Sequence, residues 1–232
     1  MTPALLEEGL VKLGLGSEDR ILPPLTRYIE EIELFNPAYG LVKVRNREEL
    51  IIKHILDSLA PIKIIRDLPE NSSGKKIADV GSGAGLPGIP LAICMPDAAF
   101  TLIERMGRRA GFLRDAVAVL GLTNVKVEEA EMEKLSSSAG NRGEYVSFDL
   151  IVFRAFKPLD NAILKKLISL LAPGGIIAAY KGRRQSIEEE ISRFPAASRE
   201  GFLIEIYPLE VPFLEEERHL LLLRKSHPEV IC

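Results

Sequence analysis

The chain has 232 residues, 30 of them basic and 33 acidic, for a net charge of −3. That balance excludes a protein held to polyanions by bulk charge, so any nucleic-acid contact must come from a local basic patch. Two cysteines and three histidines at scattered positions exclude a disulfide framework and a zinc site, and with no apolar run of about 18 residues and no leader pattern the expected location is cytoplasmic, away from membranes.

Residues 1–70 read as a helical region. Ser17 is placed to cap a helix that begins with Glu18 and Asp19. Leu25, Tyr28, Ile29, Ile32 and Phe35 follow helical spacing, and the run is expected to stop at Asn36-Pro37. Asn46 and Glu49 form a capping box, followed by an apolar face of Leu50, Ile51, His54, Ile55, Leu59 and Ile62. A histidine on such a face reads first as structural and second as a substrate contact. Asn71-Ser72-Ser73-Gly74 is a loop that leads into a second region, 71–232.

The second region opens on its most informative stretch. Ile77 to Val80 is a short apolar strand, Gly81, Gly83, Gly85 and Gly88 follow at once, and Ile89 to Ile93 suits a helix start. A strand, a glycine turn and a helix bring bare backbone close to a nucleotide-like ligand, because glycine adds no side chain and accepts φ > 0. Gly83-x-Gly85-x-x-Gly88 matches the dinucleotide fingerprint. Asp79-x-Gly81-x-Gly83-x-Gly85 resembles the S-adenosylmethionine (SAM) loop of Rossmann-like methyltransferases more closely. In the dinucleotide version the first glycine sits at the strand end; here that is Gly81, and Leu86 then fails the third glycine position. An acid two residues before the first glycine suits a carboxylate that supports the turn and the amino-acid end of SAM.

The next strand, 99–103, ends at Glu104, which follows Gly85 at the spacing of roughly 20 residues expected of an acid that holds both ribose hydroxyls. This serves NAD and SAM equally. Further strands are expected at 124–128, 148–153 and 175–180, and helices at 87–95, 108–120, 158–171 and 185–194. Such alternation implies a mostly parallel sheet with helices on both faces. Ser136 to Asn141 reads as a loop. Strands at 202–206 and 219–223 have no helix between them, so a seven-stranded sheet ending in an antiparallel pair is predicted. That ending favours a SAM methyltransferase domain over a dinucleotide domain.

Asp79-Val80-Gly81-Ser82-Gly83-Ala84-Gly85-Leu86-Pro87-Gly88-Ile89-Pro90-Leu91 resembles the signature loop of the bacterial small-subunit (16S) rRNA guanine-N7 methyltransferases, the glucose-inhibited division protein B family. His54-Ile55-Leu56-Asp57-Ser58-Leu59, Phe153-Arg154-Ala155-Phe156, Tyr180-Lys181-Gly182 and Arg218-His219-Leu220 resemble further motifs of that family, in order and with matching spacing. The resemblance implies a SAM-dependent enzyme on 16S rRNA within the small ribosomal subunit; a monomer is expected. It assigns Gly81, Leu86 and Arg154 to the cofactor pocket beside Asp79, Gly83, Gly85 and Glu104. It also implies that the backbone of Met132 and Glu133 meets the adenine edge. Glu131 departs from the family, which usually carries arginine there. The N-terminal helical region is expected to cap the sheet edge and form an RNA-facing wall.

The chemistry agrees with a ring-nitrogen target. Guanine N7 has a lone pair and no proton, so it needs no general base, and no catalytic acid or base is expected; alignment alone is worth up to ~7–11 kcal/mol. The end of the fourth strand carries neither the Asn/Asp-Pro-Pro-aromatic device of amine methylation nor a nucleophilic cysteine. Arg105, Arg108, Arg109 and Arg114 follow the second strand, and Lys181, Arg183 and Arg184 follow the fifth. Of these, Arg109, Lys181 and Arg184 are candidate phosphate contacts. Two alternatives stand beside this reading: a methyltransferase of a small molecule or protein, and a non-catalytic nucleotide-binding module.

Overall fold

The computed structural model describes residues 2–16, 20–68, 74–131, 147–154, 159–195 and 201–225. Ahead of the sheet lie α1 (Thr2–Lys12) and α2 (Leu22–Tyr39). A helical run over 47–59 follows, made of α3 (Arg47–Leu50), a widened π turn (Ile51–Leu56) and α4 (Asp57–Leu59), and then α5 (Ile62–Arg66). The expected cap at Ser17 and the loop at Ser136 to Asn141 lie outside the described residues.

α2 does not stop at Asn36-Pro37 but runs through Pro37 to Tyr39. Proline removes one N–H from the ladder, and packing of Phe35 against Phe112 and Tyr39, with ring centroids 5.7 and 5.5 Å apart, opposes that loss. The helix ends where Gly40 turns left-handed at φ 58° and donates to the Asn36 carbonyl at 2.9 Å. The expected box forms at the start of α3. Asn46 Oδ1 accepts from the Glu49 N–H at 2.8 Å, and the Glu49 carboxylate reaches back to the Arg45 N–H, one residue beyond the usual partner.

Seven strands, β1 (Lys76–Val80), β2 (Ala99–Glu104), β3 (Val125–Glu129), β4 (Phe148–Arg154), β5 (Leu171–Lys181), β6 (Phe202–Leu209) and β7 (Arg218–Lys225), form one sheet in the order β3-β2-β1-β4-β5-β7-β6. β1 to β5 are parallel; β7 runs antiparallel to both β5 and β6. The predicted mostly parallel sheet closed by an antiparallel pair is therefore present. Among the described residues four helices connect or follow the strands: α6 (Gly88–Cys94), α7 (Gly107–Val119), α8 (Asn161–Ser169) and α9 (Arg184–Ser192). β5 starts earlier than expected, at Leu171, because Gly174 at φ 77° and a register shift against β4 let the strand continue through Pro173.

The apolar runs of β1 and β4 follow from burial on both faces. Ile77, Leu102, Val152 and Ala178 point to one side, where they share a single core with the N-terminal helices, α6 and α7. Ala78, Val80, Phe153 and Ala179 point to the other, against α8 and α9. Each such valine, leucine, isoleucine or phenylalanine side chain contributes about 1.5–3 kcal/mol by leaving water. The helices before β1 thus cover one face of the sheet and continue its core. Chain order reverses between β1 and β4, so a crevice opens at the C-terminal ends of these two strands. No helix among the described residues is long and apolar enough to cross a membrane.

Candidate functional site

Asp79, the glycine loop and Glu104 converge at the C-terminal ends of β1 and β2. Gly81, Gly83 and Gly85 all have positive φ (73°, 58° and 91°), which explains the residue type at each turn. The loop is closed on itself. Gly81 and Ser82 donate to the Ile103 carbonyl, Gly85 and Leu86 to the Ser82 carbonyl, Gly83 to Glu104 Oε2 at 3.0 Å and Gly88 to Asp79 Oδ2 at 2.9 Å. Pro87 has no N–H to offer. A pyrophosphate needs free backbone donors at such a turn, and the N–H groups of Gly81, Ser82, Gly83, Gly85, Leu86 and Gly88 are already bonded. It presents bare backbone instead: a Cβ built on Gly83 would meet nothing nearer than the Gly81 carbonyl at 3.8 Å. The geometry therefore suits a nucleoside without a pyrophosphate.

Glu104 is 4% exposed and uses one lone pair of each oxygen, on the Gly83 N–H and on the Met106 N–H at 2.8 Å. A carboxylate has about four acceptor sites, so the remaining two can hold a pair of hydroxyls. Asp79 is 0% exposed, and its Oδ1 has no hydrogen-bond partner among the described residues. Burial pushes its carboxyl from the usual 3.8 up to about 7, against the opposing pull of the Gly88 N–H and the Arg154 charge. An orphaned buried oxygen beside an open glycine cradle fits the amino-acid end of SAM.

Tyr28, on α2, ties the N-terminal helices to this loop. Its hydroxyl donates to the Ala84 carbonyl at 2.5 Å in full burial. Removing it in Tyr28→Phe leaves that carbonyl unpaired, at a cost of about 1–3 kcal/mol. The expected result is a lower denaturation midpoint at unchanged m value, measured by urea unfolding, together with weaker SAM binding. Helical spacing predicted Tyr28 to be core but gave no signal for its partner.

Arg154, at the end of β4, reaches the π turn. Its guanidinium donates to the Lys53 carbonyl at 2.8 Å, to Asp57 Oδ2 at 2.9 Å and to His54 Nδ1 at 2.8 Å. The widened turn makes this fit. The Asp57 N–H bonds the Ile52 and His54 carbonyls, so the Lys53 carbonyl accepts the guanidinium in place of the ordinary α-helical donor. Asp57 is also held by Arg218 at 3.0 Å, and the Tyr180 hydroxyl donates to the Ser58 carbonyl at 2.8 Å. His54 is held neutral, its pKa lowered to about 4 by burial first and the Arg154 charge second. Asp57 and Arg218 were quoted in the sequence only within motifs; nothing local marks them as partners.

The other predicted positions are dispersed. Leu86 is buried below the loop. Met132 and Glu133 lie outside the described residues, and Glu131 is exposed just beyond β3. Lys181 is gripped by both oxygens of Glu190, at 2.8 and 2.7 Å, on the β5 side of the crevice. Arg184 is exposed and pairs with Glu188 at 2.9 Å. Arg109 donates to the Gly40 carbonyl at 3.4 Å, beside Arg108 stacked over Tyr39, and Arg114 pairs with Glu129. Among the described residues no group of histidine, cysteine or acidic side chains has the arrangement of a metal site.

The family model described as rRNA small subunit methyltransferase G matches residues 21–221. A ribosomal RNA small subunit methyltransferase G of Treponema pallidum (strain Nichols) is 40% identical over 226 residues, covering 94% of this chain and 92% of that protein. One from Stenotrophomonas maltophilia (strain K279a) is 39% identical over 219 residues, with 94% and 92% covered. Among solved structures, a SAM-dependent O-methyltransferase from Thermotoga maritima superposes with a TM-score of 0.53 at 16% identity, covering 86% of this chain and 71% of the other. Precorrin-6y C5,15-methyltransferase from Geobacter metallireducens gives 0.52 at 16% identity, covering 73% and 87%. These structural likenesses establish the methyltransferase fold.

Proposed function

Because the chain belongs to the rRNA small subunit methyltransferase G family, we propose that it methylates N7 of a guanine in 16S rRNA, within the small ribosomal subunit, with SAM as donor. The observation that carries this reading is the glycine cradle whose own N–H groups are satisfied, with Asp79 beneath it and Glu104 at its lip. SAM bound there supplies a methyl group on a positively charged sulfur. Glu104 holds the ribose hydroxyls, Asp79 faces the amino-acid end, and the open side of Gly83 admits the ligand. No residue need move a proton, since N7 carries none. Among the described residues the end of β4 supplies the Arg154 guanidinium, a cationic hydrogen-bond donor, and no nucleophile. Arg109, Lys181 and Arg184 remain the proposed RNA contacts, Lys181 through the crevice wall it shares with Glu190. The protein acts as a monomer in the cytoplasm, where its substrate particles are.

The deciding experiment compares small-subunit particles, naked rRNA and small-molecule acceptors as methyl acceptors and maps the product. N7-methylguanine at one position of 16S rRNA is expected. Transfer only to small molecules would overturn the reading.

Asp79 makes SAM binding depend on pH. A carboxyl raised to about 7 favours the folded state fully below its ordinary 3.8 and loses that contribution as pH rises through 7. The free protein is therefore expected to lose stability between pH 6 and 8, a loss that Asp79→Asn abolishes. SAM affinity moves the opposite way. Its ammonium and sulfonium charges favour the ionised carboxylate, so binding tightens as pH rises from 6 to 8. Thermal melts and calorimetric titrations over that range check both signs; parallel slopes for wild type and Asp79→Asn would remove Asp79 from the pocket.

A further inference from the structure

Beside the cofactor cradle lies a recess of about 310 Å³, lined by Lys53, His54, Arg154, Tyr180, Lys181 and Arg218 among others. Its position follows from the sheet register. Asp79 pairs with Val152 of β4, Arg154 stands two residues further on and pairs with Tyr180 of β5, and Lys181 pairs with His219 of β7. The cradle thus sits over β1 and β2, and the recess over β4, β5 and β7, on the two sides of the point where strand order reverses.

The charge of the recess decides what class of group it takes. Lys53 pairs with Glu49 and Glu216, Arg154 with Asp57, Lys181 with Glu190, and Arg218 with Asp57 and Glu216. Each of these four cations is therefore already paired, with Asp57 in the lining or with Glu49, Glu190 or Glu216 outside it. A phosphate deep in the recess would have to break these pairs, whereas a neutral planar base with polar edges leaves them intact and suits a small, partly apolar pocket.

Within that wall one donor is defined by its neighbour. Arg154 can only donate, so the His54 Nδ1 that it contacts at 2.8 Å must accept. A neutral imidazole accepting at Nδ1 carries its proton on Nε2. No described residue bonds Nε2, and His54 is only partly buried. Guanine presents two acceptors side by side, N7 and O6, whereas adenine presents N7 beside an N6 donor. An N–H donor placed next to N7 would therefore welcome guanine and oppose adenine.

We propose that this recess receives the target base and that His54, its tautomer set by Arg154 from the π turn, donates through Nε2–H to guanine O6 and selects guanine over adenine. This rests on the guanine-N7 reading above. His54 is the specificity residue and Arg154 its positioning residue.

The test uses small-subunit particles carrying guanine or adenine at the mapped position, with wild type, His54→Ala and His54→Gln. Wild type is expected to prefer guanine strongly. In His54→Ala the guanine-to-adenine ratio of kcat/KM falls about 10–100-fold while calorimetric SAM affinity changes by no more than a few fold; His54→Gln, which keeps an amide donor, recovers part of the ratio. Nitrogen-15 NMR of the free wild-type protein reports the tautomer independently of turnover, and the Nε2–H form is expected. An unchanged ratio in His54→Ala, or an Nδ1–H tautomer, overturns this inference alone. Wild-type protein that methylates no guanine in the particles overturns the guanine-N7 reading and this inference with it.

Discussion

Gly83→Val is expected to abolish SAM binding while leaving a folded protein. The backbone at Gly83 is left-handed, with φ 58°, and a β-branched residue there costs about 1–2 kcal/mol. The larger effect is spatial. A Cβ at this position points into open space, with its nearest neighbour 3.8 Å away, so the isopropyl group occupies the cradle without disturbing the core. Gly88 is the contrasting case. Its Cβ would lie 2.4 Å from Leu102 Cδ2 and 2.7 Å from Asp79 Oδ2, so Gly88→Ala disrupts packing and is expected to lower Tm. Calorimetry with SAM and thermal melts on both variants separate the two cases. A Gly83→Val protein that binds SAM with wild-type affinity would place the cofactor elsewhere.

Arg154→Ala is expected to lose both stability and methylation. The guanidinium is the common partner of the Lys53 carbonyl, His54 and Asp57, and its removal leaves a 4% exposed Asp57 with Arg218 alone. Breaking a buried pair in this way costs about 3–5 kcal/mol, and at roughly 2–4 °C per kcal/mol for a chain of this size Tm should fall by about 6–20 °C. Arg154→Lys should rescue little. A lysine ammonium cannot reach a carbonyl, an imidazole and a carboxylate in one planar fork. Methylation of small-subunit particles is expected to fall by more than 100-fold in both variants, through kcat. A lysine variant with wild-type Tm and turnover would show that only the charge matters.

Much of the molecule was legible in order along the chain. The strand at 76–80 lies where its apolar run put it, since a central parallel strand must be apolar on both faces. The glycines at 81, 83 and 85 all take positive φ, and the antiparallel end follows from two strands with no helix between them. Pro37 misled because a helix end was inferred from one missing N–H, and aromatic packing at Phe35 outweighs that loss. The π turn had no signal at all: residues 51–56 contain neither glycine nor proline, and the widening is held by a guanidinium from a distant strand.

By itself, then, the sequence determined the sheet, the cradle and the acids at its floor and lip, because turn geometry and burial period are written in residues that are neighbours along the chain. Only the tertiary structure decided that Arg154 bonds His54 and Asp57, that Lys181 is gripped by Glu190, and that the N–H groups of the four loop glycines are taken. Arg154 and Arg218 meet Asp57 across 97 and 161 residues. Side chains so far apart along the chain become partners only when packed helices and strands bring them within hydrogen-bond reach.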